Sequence, residues 1–124
     1  IDGAKKAKYH AAASILSNQV IAVLDMGYTL LEDCGFTRAE AVRATGQLVM
    51  RNIENVLEAG CDGALTGPIE RNDIETVKKH IACMQNDDSD DVSLYKMLGT
   101  KLANIAEKKN PDKDYTQMME LLRG

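Results

Sequence analysis

The sequence has no tryptophan, one phenylalanine and four tyrosines, too few rings for a surface that stacks nucleic-acid bases. It also has no excess of positive charge. Fifteen Lys and Arg stand against nineteen Asp and Glu, for a net charge of -4, and the basic residues are scattered. Both observations set nucleic acid aside as a partner. No stretch approaches 18 unbroken apolar residues, so no membrane-spanning segment is expected. Lys5, Lys6 and Lys8 precede a helical pattern rather than a short apolar block with a cleavage site, which speaks against a signal peptide.

Paired cysteines are missing as well. Cys34, Cys61 and Cys83 are odd in number and dispersed, with no C-x-x-C. That pattern points to reduced thiols and a cytoplasmic protein. Two distant histidines, His10 and His80, and scattered cysteines do not make a zinc pattern, so no metal is expected. The acidic stretch at 87–91 lacks the central Gly and distal Glu of a calcium loop and reads as charge at a helix N-terminus. His80 reads as a half-exposed surface histidine. There is no G-x-G-x-x-G and no Walker loop. If the protein uses a nucleotide, the half that binds its phosphates lies outside this chain. The start at Ile1 fits a fragment.

What is present reads as one all-α domain over residues 1–124, a multi-helix bundle of five helices around one long central helix. The first helix is expected at 5–33. Leu16, Val20, Val23, Leu24, Gly27, Leu30 and Leu31 recur at helical spacing, with Ile15, Ala22 and Met26 on another side. A helix apolar over so much of its circumference belongs at the centre of a domain or in a subunit interface. It would run roughly 40 Å, more than a small domain needs, which favours a homodimer through this helix.

Gly35 suits the left-handed turn after its end. Thr37 then caps the next helix, with Glu40 completing a capping box. That second helix is expected at 38–58, with a buried stripe of Val42, Gly46, Val49, Ile53, Val56 and Leu57. A turn-rich loop at 60–68 follows. Asp73 caps a third helix carrying Ile74, Val77, Ile81 and Met84. A fourth carries Val92, Tyr95, Leu98, Leu102 and Ile105 and stops at Asn110-Pro111. A short fifth carries Tyr115, Met118, Met119 and Leu122.

Three groups of residues could carry chemistry. On the first helix His10, Ser14, Ser17, Asn18, Asp25 and Tyr28 fall within about 100° of one another. Polar groups on a mostly buried helix need partners or a ligand. This stripe is either a substrate cleft, with His10 as proton donor and Ser17 and Asn18 as hydrogen-bonding groups, or a solvent-facing stripe. Asn52 and Asn55 share a face of the second helix and could reach a ligand or simply face water. In the 66–73 loop Gly67 allows close backbone approach, Pro68 is stiff, and Arg71 could pair with an anion. The plainer reading is a connector in which Asp73 caps and Arg71 is solvated.

Several strings occur in order: Lys8-Tyr9-His10-Ala11-Ala12-Ala13, then Ser17-Asn18, then Asn52-x-x-Asn55-Val56. They continue with Ala64-Leu65-Thr66-Gly67-Pro68-Ile69-x-Arg71-x-Asp73 and Thr76-Val77-x-x-His80. Together, over about residues 5–106, they resemble the C-terminal domain of a family of Rossmann-type oxidoreductases. That domain is catalogued as one of unknown function. It is related to the helical domains of ketopantoate reductase, pyrroline-5-carboxylate reductase and 6-phosphogluconate dehydrogenase.

The resemblance implies an N-terminal Rossmann domain, absent from this chain, that binds NADP or NAD. It implies that this helical domain closes over a small-molecule substrate, a carbonyl or imine, and forms the dimer. It places His10, Lys8 and Asn18 in catalytic roles and Ser17 beside them. It puts Asn52, Asn55, Thr66, Gly67, Pro68 and Arg71 at the substrate. Where the family often has Gly before the capping Asp, this chain has Asn72, which also tolerates left-handed geometry. The residues alone also allow a non-enzymatic dimerisation module, or a phosphotransfer bundle with His10 as acceptor.

Overall fold

The computed structural model describes residues 2–85 and 90–124, and among these it is all-α with no strand. Five helices follow one another: α1 (Gly3–Asp33), α2 (Arg38–Ala64), α3 (Ile74–Met84), α4 (Asp91–Lys109) and α5 (Thr116–Arg123). Most of the acidic stretch, at 87–89, lies outside the described residues. The chain divides into two compact units, Ile1–Leu48 and Val49–Gly124.

In the first unit α1 starts where Asp2 accepts a hydrogen bond from the Lys5 amide at 3.0 Å. It widens into a π turn over Ile15–Gln19. There Ser14 Oγ bonds Gln19 Oε1 at 2.9 Å, a five-residue separation that only a π turn brings into line. The helix closes with the Phe36 amide on the Leu31 carbonyl and the Gly35 amide on that of Glu32. Those two bonds make a Schellman turn around Gly35, at φ 103°. The capping box forms as read: the Thr37 amide reaches Glu40 Oε1 at 2.9 Å, and the Glu40 amide reaches Thr37 Oγ1 at 3.1 Å. The amide and hydroxyl of Thr37 hold the Glu40 carboxyl below its ordinary range.

The long first helix is present, but within this chain it buries no residue. Leu16 is 77 % exposed and Ile21 63 %. The expected buried stripe of α2 is not buried either. Val42, Ile53 and Leu57 are exposed, and only Ala41 on this helix is buried. The periodicity is helical as expected, but among the described residues these apolar faces remain exposed or half-buried. By length and composition alone α1 is apolar enough to cross a membrane, with a mean hydropathy of 1.2 over its best window. A search for unbroken apolar runs does not register this.

The second unit holds the core. Val77, Ile81 and Met84 of α3 are buried, as their spacing requires. On α4 the innermost line is Gly99, Ala103 and Ala106, not the larger stripe expected, of which Val92, Tyr95 and Leu102 pack only at the margin. Small residues are needed because α5 comes close: a methyl group on Gly99 would lie 2.8 Å from Leu122 Cδ2 and 3.2 Å from Ile69 Cδ1. Tyr115, Met118 and Leu122 complete the core from the C-terminal end. His80 is exposed, with Nδ1 2.9 Å from the Tyr95 hydroxyl. Burial pushes that phenol above its usual range.

The helical stretch at 38–64 also outruns its expected end at 58. Gly60, at φ 79° and ψ 172°, breaks it, and the chain turns helically once more through Ala64. The expected 60–68 loop is therefore shorter, beginning at Leu65.

Candidate functional site

Each unit carries part of the candidate site. In the first, Lys8 and His10 lie on the regular first half of α1 and are exposed. Ser17 and Asn18 sit inside the π turn. The Ser17 hydroxyl donates to the Ala13 carbonyl at 2.6 Å, which leaves its lone pairs for a ligand donor. The Asn18 side chain is exposed.

The π turn changes the polar stripe read from an ideal wheel. It inserts one residue, a rotation of about 100°. Of the two stripe residues that follow it, Tyr28 therefore leaves the face of His10 and Ser14, while Asp25 stays within about 40° of His10. They join Thr29 and Glu32 on a face held by Arg38, whose guanidinium is 3.2 Å from Asp25 Oδ1 and 5.7 Å from the Tyr28 ring centre. Asp25 and Tyr28 thus have structural partners.

In the second unit, a cleft of about 340 Å³ opens between the end of α2, Leu65, Thr66 and α4. Asn52 and Thr66 supply its neutral polar groups, Cys61 a thiol, and Val56, Leu102 and Ile105 apolar wall. No charged side chain lines it. The structure thus brings together Asn52 and Thr66 of the expected residues, while Asn55 is exposed and outside the cleft.

Beyond Thr66 the chain folds into a tight double turn. Gly67 has φ 94° and Asn72 φ 61°, so Asn72 takes the left-handed conformation its chemistry allows. The Arg71 amide bonds the Gly67 carbonyl at 3.0 Å, and the Asp73 amide bonds that of Pro68 at 2.8 Å. Asp73 caps α3 through the Thr76 amide and hydroxyl, which hold its carboxyl below the usual range. Arg71 is 59 % exposed, and its nearest acid is Asp73 Oδ2 at 3.9 Å. Its guanidinium is therefore open to an anion, but it does not line the cleft.

Residues that the sequence pattern did not single out hold this loop. Lys109 Nζ donates to the Leu65 carbonyl at 2.8 Å, and the Tyr115 hydroxyl donates to the Glu70 carbonyl at 2.6 Å. Asn110 and Tyr115 appeared in the sequence only as a helix stop and a core position. Only the fold shows that they meet a loop some forty residues away. A larger open hollow of about 680 Å³ lies by Pro111, Asp114 and Arg123. It contains none of the expected site residues.

An open helix N-terminus is a ready anion site. Here those ends are occupied by acidic or hydroxyl groups: Asp2 on α1, Thr37 and Glu40 on α2, Asp73 on α3, and Asp91 in the first turn of α4. At α5 the Asp114 carboxylate takes the Thr116 amide at 2.9 Å. Among the described residues no cluster of His, Cys, Asp or Glu could hold a metal ion.

No curated protein and no solved structure matches the chain. The model of one family, described as Domain of unknown function (DUF2520), matches residues 1–102. The chain, all-helical among its described residues and with its candidate site residues divided between two units, belongs to the DUF2520 family.

Proposed function

We propose that this chain is the substrate-binding and dimerisation part of an NAD(P)-dependent reductase acting on a small carbonyl or imine. The observation that carries this reading is the π turn at Ser17 and Asn18. Such turns are rare and concentrate at functional sites, and this one carries the adjacent hydrogen-bonding side chains of Ser17 and Asn18. In this reading Asn18 orients the substrate, and His10 or Lys8 supplies the proton that a reduced carbonyl or imine takes up. The uncharged cleft at Asn52 and Thr66 suits a neutral group, and Arg71 offers an anion partner outside it. In this reading the dinucleotide, which supplies the hydride, sits on another domain, as the resemblance to the helical domains of nucleotide-dependent reductases implies.

The uncovered apolar faces of α1 and α2 support a homodimer. A protein interface suits α1 better than a bilayer, because Asp25 within an apolar span would cost about 2.5–3.5 kcal/mol. Three exposed thiols suit a reducing, cytoplasmic setting.

The test is NADPH and NADH oxidation by the complete two-domain protein against small ketones and imines. His10→Ala and Lys8→Ala are compared for loss of kcat, and Asn18→Ala for a rise in KM. No turnover, or turnover indifferent to all three changes, overturns the proposal. The exposed apolar faces also favour a second reading, a dimerisation module without chemistry. That reading keeps the dimer and expects no turnover.

A further inference from the structure

The loop at 65–73 has little regular structure of its own, yet it is held at both ends and in the middle. Lys109 Nζ bonds the Leu65 carbonyl at 2.8 Å and lies 3.6 Å from Glu70 Oε1, in a setting where Lys109 is 29 % and Glu70 16 % exposed. The Tyr115 hydroxyl accepts from Asn110 Nδ2 at 3.1 Å and donates to the Glu70 carbonyl at 2.6 Å. Asn110 Nδ2 also stands 3.4 Å from Glu70 Oε1. At the far end Asn72 Nδ2 donates to the Asp114 carbonyl at 2.7 Å. Every one of these tethers comes from residues 109–115, beyond the family match at 1–102. Residues beyond that match, 103–124, also supply five of the eight residues in the core cluster: Ala103, Ala106, Tyr115, Met118 and Leu122.

We infer that the C-terminal segment is a brace for the candidate substrate loop, and that Lys109, Asn110 and Tyr115 are positioning residues for Thr66 and Arg71. The physical reason is that a loop with two left-handed residues, Gly67 and Asn72, has many alternative conformations. Its own turns close only 67–73. The side chains of the brace fix where those turns sit on the core. Tyr115 is placed for this, with its ring 2 % exposed in the core and its hydroxyl at the centre of the loop. Lys109 anchors the edge of the cleft, because Leu65 and Thr66 line it. The importance of the brace for binding rests on the proposed function. The brace itself does not.

The test is amide hydrogen exchange on the full chain. Tyr115→Phe keeps the buried ring and removes only the hydroxyl. Exchange at Arg71, Asn72 and Asp73 should then rise roughly five- to tenfold, the effect of one lost hydrogen bond on a local opening. The amides of Val77 and Ile81 in α3 should change less than about twofold. Lys109→Met should do the same at Leu65, and Lys109→Arg should restore most of the protection. Unchanged exchange at 65–73, or a uniform rise through α3, α4 and α5, would overturn the inference and leave Tyr115 a core residue only. If Tyr115→Phe loses its helical signal, the Lys109 pair decides by the same criteria, because that side chain lies outside the core cluster. The readout needs no substrate. A brace without NADPH turnover would leave this inference standing and sink the reductase reading.

Discussion

The guanidinium of Arg38, the first residue of α2, lies 2.8 Å from the Glu32 carboxylate in the last turn of α1. It also bonds Thr29 Oγ1 at 3.2 Å and sits beside Asp25 and the Tyr28 ring. Residues 25, 28, 29 and 32 are spaced to share one helix face, and Arg38 reaches all four. Sequence distance is short, so this corner forms locally.

Arg38→Ala should destabilise the protein by about 0.5–1 kcal/mol, because the partners are exposed and screened by water. Thermal unfolding at low salt should show the loss, and molar salt should shrink the difference between the two proteins. A loss untouched by salt would mean that packing on Tyr28 outweighs the charges.

Stability should fall in acid. Glu40, Asp73 and Asp114 all have carboxyl groups held below their ordinary range, by Thr37, Thr76 and Thr116 respectively. With folded pKa values depressed, the unfolded chain binds more protons. Their contribution is therefore present above the usual carboxylate value of about 4 and disappears as pH drops through the lower folded values. Asp73→Asn keeps a capping side chain that cannot titrate. Its unfolding midpoint should depend less on pH below about 5 than that of the parent. An identical acid limb would remove Asp73 from the account.

Gly67→Ala should cost about 1–2 kcal/mol. Space is not the reason, since an added methyl would meet no atom within 4 Å. The cost comes from φ 94°, which an L side chain resists. Urea unfolding would measure it. A neutral result would mean that the turn relaxes to another geometry, visible as altered amide shifts at Arg71 and Asp73.

The proposed dimer makes a separate prediction. Leu16 and Ile21 are 77 % and 63 % exposed in the single chain, so Leu16→Glu with Ile21→Glu should leave the monomer folded. Light scattering should report a dimer for the parent and a monomer for the double variant. A parent that is monomeric at high micromolar concentration would remove the dimer proposal.

Much of the fold was legible because it is local. Gly35, Thr37, Glu40 and Asp73 act within five residues of themselves, so the stop of α1 and the caps of α2 and α3 could be read directly. The α3 stripe Val77, Ile81, Met84 was legible for the same reason: one helix face, one period. The site was legible only in part. Asn52 and Thr66 do line one cleft, but Asn55 lies outside it, and the π turn at Ile15–Gln19 removed Tyr28 from the polar stripe. No residue in that stretch announces an inserted turn, since neither Gly nor Pro marks it.

The sequence by itself determined that the chain is helical, where the caps of α2 and α3 fall, and which helix faces are apolar, because these follow from periodicity and short-range hydrogen bonds. Only the tertiary structure decided which of those faces are covered. No large residue of α1 or α2 is buried, while Gly99, Ala103 and Ala106 line the core, because close approach of α5 rewards small side chains over large ones. Only the tertiary structure also joined Tyr115 and Lys109 to the 65–73 loop. Contacts across some forty residues depend on where whole helices pack, and that is written in no local pattern.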